Sequence, residues 1–374
     1  MANTFVTMQN IAREALPILK QKLVMPALIH KDYSADFVNQ GDTIQIKKPP
    51  VFEAEDFSST INIQDTTVEK VDVTIDKLSD VSVEMTSKEL ALDIKDFNRE
   101  VTEPMAKALA QKINTEGLQL AKDIPYTGGT PGTTPDALDD IMDIREGLNE
   151  REVPDDMRRA VWNVEADAKL GLIDNLTKVN ESASTAALRK GQLGEIFGID
   201  NYYSQGVYTH TAGGATAATA PKVNGVVAAG ATTMNIDATA MTGKLEKGDL
   251  FLIGGAEYVV TAQSAAASSN AITGVTFYPA SPGFADNADI TFVEAANGGS
   301  VRNLGFHRNA FAWVTRQLPS PAAEGAEAYT VAYDGITLRV VKQYSISAKK
   351  TIMSMDILYG YKTIYPELAH SQLG

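Results

Sequence analysis

The sequence predicts an α+β fold that is interrupted by a small all-β module. Apolar residues recur both at helical spacing and at two-residue alternation along the 374 residues, which indicates helices packed against sheets. Between residues 215 and 296 the composition changes to a charge-poor pattern rich in Ala, Thr and Gly. Neither flanking segment forms a complete fold on its own. This arrangement is typical of a module inserted at a loop of one host fold.

The first 86 residues predict a bent helical arm (1–40) and a long β-hairpin (41–86). The hairpin has a polar, acidic stretch at 51–67, between two regions of strand alternation. A two-stranded ribbon is marginal in water, so we expect this extended loop to contact a neighbouring subunit. The candidate contact residues are the acidic side chains of its tip: Glu53, Glu55, Asp56 and Asp65.

A long helix follows and is the predicted spine of the host fold. Thr86-Ser-Lys-Glu89 has the spacing of a capping box, which predicts a helix start there. A second helical segment of roughly 20 residues, about 30 Å long, continues to about Asp123. We expect its apolar face to pack against the C-terminal strands. The residues of that face are Met105, Leu109, Ile113 and Leu120.

Further elements complete the host fold on both sides of the module. We predict a helix opening at Thr134, a strand at 159–162 and a helix at 164–173. An Asp-Gly turn signal predicts a hairpin of strands 329–332 and 336–341, followed by strands at 345–347 and 351–361.

Six short strands are predicted inside the module, which favours a small barrel or sandwich. They lie near residues 223–227, 232–236, 250–253, 257–261, 271–277 and 289–293.

Composition excludes several classes of protein. A net charge of −14 argues against strong nucleic-acid binding, because affinity for phosphates comes from clustered Lys and Arg. The absence of cysteine excludes disulfides and thiolate sites. No apolar run of 18 residues and no leader sequence occur, so we expect no membrane span.

Catalytic and cofactor motifs are missing, so we expect no catalytic, cofactor-binding or metal site. The sequence has no Gly-x-Ser-x-Gly, no phosphate-binding glycine loop and no His-Glu-x-x-His. Its four histidines could converge on a metal ion, but ordinary surface or core histidines are the favoured interpretation. Asp286-Asn-Ala-Asp289 lacks the spacing of a calcium loop, and a solvated loop is favoured.

Strings along nearly the whole chain resemble the major capsid proteins of tailed bacteriophages. Leu188-Arg-Lys-Gly-Gln-Leu-Gly-Glu-Ile-Phe-Gly198 resembles the axial-domain turn of that family, and Asn303-Leu-Gly-Phe-His-Arg-Asn-Ala310 resembles the return from an inserted barrel. Similar strings lie at residues 41–50, 75–83, 87–92, 245–253 and 355–369. The branch most similar is the short-tailed phage coat proteins that carry an inserted β-barrel domain.

The resemblance implies a Hong Kong 97-type capsid fold with these parts. The arm and extended loop come first, and the inserted β-barrel covers 215–296. A peripheral domain with the spine helix and a β-sheet comprises 87–130 and 325–358. An axial α/β domain comprises 131–214, 297–324 and 359–374.

The resemblance also implies the function. Copies would form the hexamers and pentamers of an icosahedral head shell around double-stranded DNA, without sequence-specific DNA contact. Assembly would take place in the host bacterial cytoplasm with a separate scaffolding protein and a portal protein. No cofactor and no membrane would take part, and the mature location would be the virion.

Three alternatives stay open from the sequence. One is another shell-forming encapsulating protein. The second is a soluble enzyme whose site is assembled from distant residues, which should elute as a small oligomer. The third is a secreted adhesion or carbohydrate-binding β protein, for which the aromatic residues of the module would form the ligand site.

Overall fold

The computed structural model describes most of the chain and divides it into two compact units. The described residues are 8–31, 43–47, 70–86, 98–177, 191, 193–321, 326–333 and 335–374. The first unit comprises 1–23, 30–112 and 311–364, and the second comprises 24–29, 113–310 and 365–374.

Among the described residues, the α-helices all lie before residue 178, and fifteen strands follow them. The helices are α1 (Met8–Lys22), α2 (Met25–Leu28), α3 (Glu103–Leu118), α4 (Leu138–Glu150), α5 (Val164–Leu170) and α6 (Asp174–Thr177). The strands are β1 (Thr43–Lys47), β2 (Lys70–Thr74), β3 (Lys77–Thr86), β4 (Thr127–Gly129), β5 (Arg158–Trp162), β6 (Gly194–Ile196), β7 (Ile199–Tyr203), β8 (Thr209–Thr211), β9 (Lys222–Val223), β10 (Thr233–Asp237), β11 (Leu250–Ile253), β12 (Ala256–Val260), β13 (Ala271–Tyr278), β14 (Ile290–Phe292), β15 (Gly299–His307), β16 (Phe311–Arg316), β17 (Glu327–Tyr333), β18 (Ile336–Ser345), β19 (Lys350–Thr363) and β20 (Ala369–Leu373).

The first unit is built on a five-stranded antiparallel sheet. Its strand order is β16-β19-β18-β17, and β3 pairs with the other side of β19. The predicted hairpin is present as β17 and β18, whose closing pair is Tyr333 and Ile336. The predicted separate strand at 345–347 is wrong, because Ser345 ends β18 and residues 346–349 form the turn into β19.

The range 41–86 contains two kinds of strand. β1 and β2 pair with each other as a hairpin, from Thr43 with Thr74 to Lys47 with Lys70. β3 instead pairs over ten residues with β19, so its hydrogen bonds place it in the five-stranded sheet. The tip residues 51–67 lie outside the described residues.

The spine helix is α3, which continues as a 3-10 turn over Gln119–Asp123. A π-helical turn at Asn98–Thr102 runs directly into α3, and Pro104 is the second residue of α3. Met105, Leu109 and Ile113 are buried, while Leu120 is half-buried. The helix start predicted at Thr86 falls at residues 87–97, which lie outside the described residues.

The second unit contains a seven-stranded mixed sheet. The order is β4-β20-β15-β5-β7-β6, and β8 pairs with β15. Helix α4 covers the sheet through Ile141, Ile144 and Leu148, which belong to one buried cluster with Trp162. Helix α5 begins at Asn163, whose side chain accepts a 2.8 Å hydrogen bond from the Ala166 amide.

The inserted module is a six-stranded barrel within the second unit. Its strand order is β14-β11-β12-β13-β10-β9. Five of the predicted strands are present, and the one predicted at 223–227 is reduced to the two-residue β9, with an isolated bridge at Val227. The edge strands meet through hydrogen bonds from the Val223 amide to the Ala288 carbonyl and from the Ile290 amide to the Pro221 carbonyl, both 2.9 Å. Closure removes the exposed sheet edges. The interior contains stacked and edge-on aromatic rings: Phe251, Tyr258, Phe277 and Phe284.

Truncation of the buried face of α3 should destabilise the subunit. Leu109→Ala or Ile113→Ala should cost about 2 to 5 kcal/mol, because each leaves a cavity in a packed interior. Lys112→Ala is the matched control, because Lys112 is exposed on the same helix. Urea unfolding midpoints measure the effect. If Lys112→Ala lowered the midpoint as much as Leu109→Ala, the assignment of the buried face would be wrong.

Candidate functional site at the junction of the inserted barrel

The two chain connections of the barrel lie side by side because β8 and β15 form an antiparallel pair. Thr211 pairs with Gly299, and His210 pairs with Ser300. The Ala212 amide donates a 2.8 Å hydrogen bond to the Gly298 carbonyl. Entry into the barrel and exit from it therefore occur at one place on the host sheet.

A buried ionic network lies at this junction. His210 Nε2 is 2.8 Å from Asp249 Oδ1 and 3.6 Å from Glu294 Oε2. Arg302 Nη2 is 2.9 Å from the same Glu294 oxygen. We call these four residues, His210, Asp249, Glu294 and Arg302, the latch. His210 and Arg302 belong to the host strands β8 and β15, whereas both carboxylates belong to the barrel segment.

Asp249 connects the entry segment to the barrel. Its carboxylate accepts hydrogen bonds from the Gly213 amide at 3.1 Å and from the Glu246 amide at 2.9 Å. The preceding Gly248 has a φ of +101°, and a Cβ there would lie 3.2 Å from His210 Cε1. A residue with a side chain would be strained at this position, so the Gly-Asp sequence fits the geometry of the network.

The exit segment is held by Glu294. One carboxylate oxygen accepts from the Ser300 hydroxyl, and the other pairs with Arg302. Arg302 Nη2 also donates to the Gly248 carbonyl at 3.2 Å. The latch therefore joins the entry segment, the exit segment and the start of β11.

The electrostatics of the latch are balanced rather than strongly favourable. Burial lowers the pKa of the Arg302 guanidinium, while Glu294 and Asp249 favour its charged form. Among the described residues, Arg302 Nε and Nη1 have no hydrogen-bond partner. An unpaired buried donor costs about 1 to 3 kcal/mol, and desolvation offsets much of the attraction in a buried ion pair. The cost of burying Arg302 with two unpaired nitrogens therefore offsets part of the attraction within the closed network.

A metal ion does not fit this donor set well. His210, Asp249 and Glu294 place one ligand atom each within 4.8 Å of one another. Arg302, however, holds a positive charge against the same Glu294 oxygen that a cation would need. The side-chain atoms of His210, Asp249 and Glu294 that could bind a cation also have hydrogen-bond or ion-pair partners. The four residues form an ion-paired network, and His210 is a core histidine.

A second polar contact attaches the barrel to the host. Glu257 in β12 accepts hydrogen bonds from the Thr127 amide at 2.9 Å and the Thr127 hydroxyl at 2.8 Å. We call this pair the clamp. Burial raises the pKa of Glu257, and the two Thr127 hydrogen bonds oppose that shift. Tyr278 adds a 3.3 Å hydrogen bond from its hydroxyl to Glu367.

The other histidines have different surroundings. His307 is 3.7 Å from Asp156, and His30 forms a bridge with Ala312. His370 in β20 is buried. A Cβ at Gly147 would lie 2.5 Å from its Nδ1, so the ring needs a glycine there. Burial, helped by Arg151, lowers the pKa of His370 from 6.5 to about 3.

The sequence-predicted contact residues and the structural site do not coincide. Glu53, Glu55, Asp56 and Asp65 lie outside the described residues. The latch was missed because its members are separated by up to 92 residues and carry no recognisable spacing. One signal was available, since Asp249 and Glu294 are acidic residues in a module with few charges.

Comparison with solved structures identifies the class of fold. A structure of Mycobacterium phage Che8 matches with a TM-score of 0.55 and 14% identity, over 94% of this chain and 90% of that chain. A capsid structure of the cyanophage P-SCSP1u matches with a TM-score of 0.46 and 12% identity, over 90% and 84% of the two chains. The fold is that of tailed-phage capsid subunits, the Hong Kong 97 type, as the resemblance implied.

The family is shown by a match over the whole chain. The family model described as P22 coat protein, gene protein 5, matches residues 1–273 and 253–374, and the chain belongs to this family. It is a major capsid protein of the tailed-phage type, a structural shell protein of the virion rather than an enzyme. A comparison with curated protein sequences found no significant match.

The helices give no sign of a membrane segment. Within the described ranges, none is both long enough and apolar enough to span a bilayer.

Stability should fall in acid because of His370. Between pH 6.5 and about 3 the unfolded chain binds a proton at this residue that the folded chain does not. The free energy of unfolding should therefore decrease as pH falls through that window, by at most about 1.4 kcal/mol per pH unit. His370→Phe keeps a buried ring without titration and should reduce that slope. Urea titrations at several pH values measure it, and an unchanged slope in the variant would contradict the assignment.

The barrel should fold when expressed alone as residues 215–296. Its interior is a continuous buried cluster drawn from the barrel's own strands, including Val223, Ile236 and Phe277. Asp249 and Glu294 would become hydrated instead of paired. We expect cooperative thermal unfolding and dispersed amide signals in NMR spectra. A random-coil spectrum would show that the barrel needs its host.

Proposed function

We propose that this capsid protein assembles into the icosahedral head shell that encloses the double-stranded DNA of a tailed bacteriophage. The observation that carries the proposal is the family match over the full length, from residue 1 to residue 374, on a chain whose fold is that of tailed-phage capsid subunits. Hexamers and pentamers of the same chain would form the shell, and one vertex would hold a portal protein.

The charge of the chain supports enclosure of DNA without specific recognition. A net charge of −14 repels phosphates overall, so a shell of this protein would not trap the genome during packaging or release. Sequence-specific binding would need clustered basic side chains that reach base edges.

A separate scaffolding protein is proposed for assembly, which takes place in the host cytoplasm. One kind of subunit must occupy both hexamers and pentamers, so its contacts tolerate small differences in angle. Without a partner that selects the curvature, tubes and irregular shells compete with closed shells. A scaffolding protein would restrict that choice.

Electron microscopy of the concentrated protein tests the proposal. Expressed alone, the chain should form shells, partial shells or tubes, and co-expression with its phage's scaffolding protein should narrow the particle sizes. Particles from infected cells should contain DNA that resists nuclease. A chain that elutes only as a small oligomer under all of these conditions would contradict the proposal.

The acidic tip of the extended loop is proposed as a contact with a neighbouring subunit. Reversing its charge with Glu53→Lys, Glu55→Lys and Asp56→Lys should reduce the yield of particles severalfold, because the contact would become repulsive. Helical circular dichroism of the free subunit should stay unchanged.

The matched control replaces the same three residues by Gln, Gln and Asn, which removes charge without reversing it. Its particle yield should lie between the yields of the native chain and the reversed variant. A normal yield from the reversed variant, measured by sedimentation, would place the contact elsewhere.

A further inference from the structure

The latch connects the host to the barrel at the two points where the chain crosses between them. Asp249 accepts a hydrogen bond from the amide of Gly213 in the entry segment. Glu294 binds Ser300 and Arg302 in the exit segment. If these two connections were flexible, the barrel could rotate as a rigid body relative to the host sheet. The latch removes that freedom by tying both connections to β11.

The interior that holds the barrel together does not include the latch. The buried apolar cluster of the barrel contains Phe251, Tyr258 and Phe277 and none of the four latch residues. The edge strands of the barrel close through backbone hydrogen bonds of Val223 and Ile290, in which no latch side chain takes part. Loss of the Glu294–Arg302 ion pair would therefore leave the barrel folded.

The latch is also not fully satisfied. Arg302 is buried, yet two of its donors have no partner among the described residues. Opening would hydrate those donors and both carboxylates, which compensates for much of the lost attraction. A network of this kind has a small preference for its closed form, so a modest change can shift it.

We propose that the latch is a conformational lock that sets the orientation of the inserted barrel on its host sheet, separately from the folding of the barrel. With the latch closed, the barrel has one orientation. With the latch open, the barrel keeps the clamp, the Tyr278–Glu367 hydrogen bond, the Lys247–Asp123 ion pair and an apolar contact with Leu373. These contacts would allow a wider range of orientations than the closed latch does.

Distance measurements between two spin labels test the lock. The chain has no cysteine, so Ala168→Cys on α5 and Ala228→Cys on the barrel give two specific labelling sites, both exposed. The latch variant carries Glu294→Gln and Arg302→Gln, which removes both charges and leaves neither one unpaired. We expect the distance distribution to become about twice as wide in this variant.

Two controls separate the lock from other effects. Asp289→Asn removes a surface ion pair with Lys222 inside the barrel and should leave the distribution unchanged. Glu257→Gln weakens the clamp and should widen the distribution less than the latch variant does.

Hydrogen exchange of β11–β13 peptides reports separately on the fold of the barrel. Native protection together with a widened distribution supports the lock. An unchanged distance distribution in the latch variant overturns the proposal. A broader distance distribution in the clamp variant than in the latch variant also overturns it. The strands β11–β13 could also lose their protection both in the latch variant and in Glu294→Gln alone. That result would show that the latch is needed for the barrel to fold, and it would overturn the proposal as well.

Discussion

The antiparallel pairing of β8 with β15 is the constraint on which the arrangement of the second unit depends. It brings together, on one sheet, the two ends of the inserted module at residues 215–296, with His210 opposite Ser300. β15 continues from there into the centre of the seven-stranded sheet, where it pairs with β20 and β5. The barrel is thus an extension of a central strand, and the host sheet stays continuous beneath it.

The barrel and its attachment use different physical interactions. The barrel interior is apolar and aromatic, so its stability comes from burial and close packing. The attachment has a small apolar contact of Leu250 and Val259 with Leu373, and it adds the directional charged and polar groups of the latch and the clamp.

Local pattern was enough to predict much of the fold. Five of the six barrel strands and the spine helix follow from periodicity and turn residues, such as the alternation at Val275 and Phe277. Long-range pairing was not predictable in the same way. The pairing of β3 with β19 joins residues nearly 280 apart. The latch depends on the same kind of closure, since His210 and Arg302 lie on different strands and reach the same Glu294 oxygen only when β8 and β15 have paired.

Amide hydrogen exchange of the native subunit tests most directly whether the junction belongs to the host sheet. The amides of Ala212, Gly213 and Arg302 donate to Gly298, Asp249 and Tyr208, all within or beside the β8–β15 pair. We predict that these amides exchange as slowly as those in the centre of β15 near Gly305. Exchange at the rate of an exposed loop would contradict the account, because the barrel would then be joined to the host only by a flexible connection.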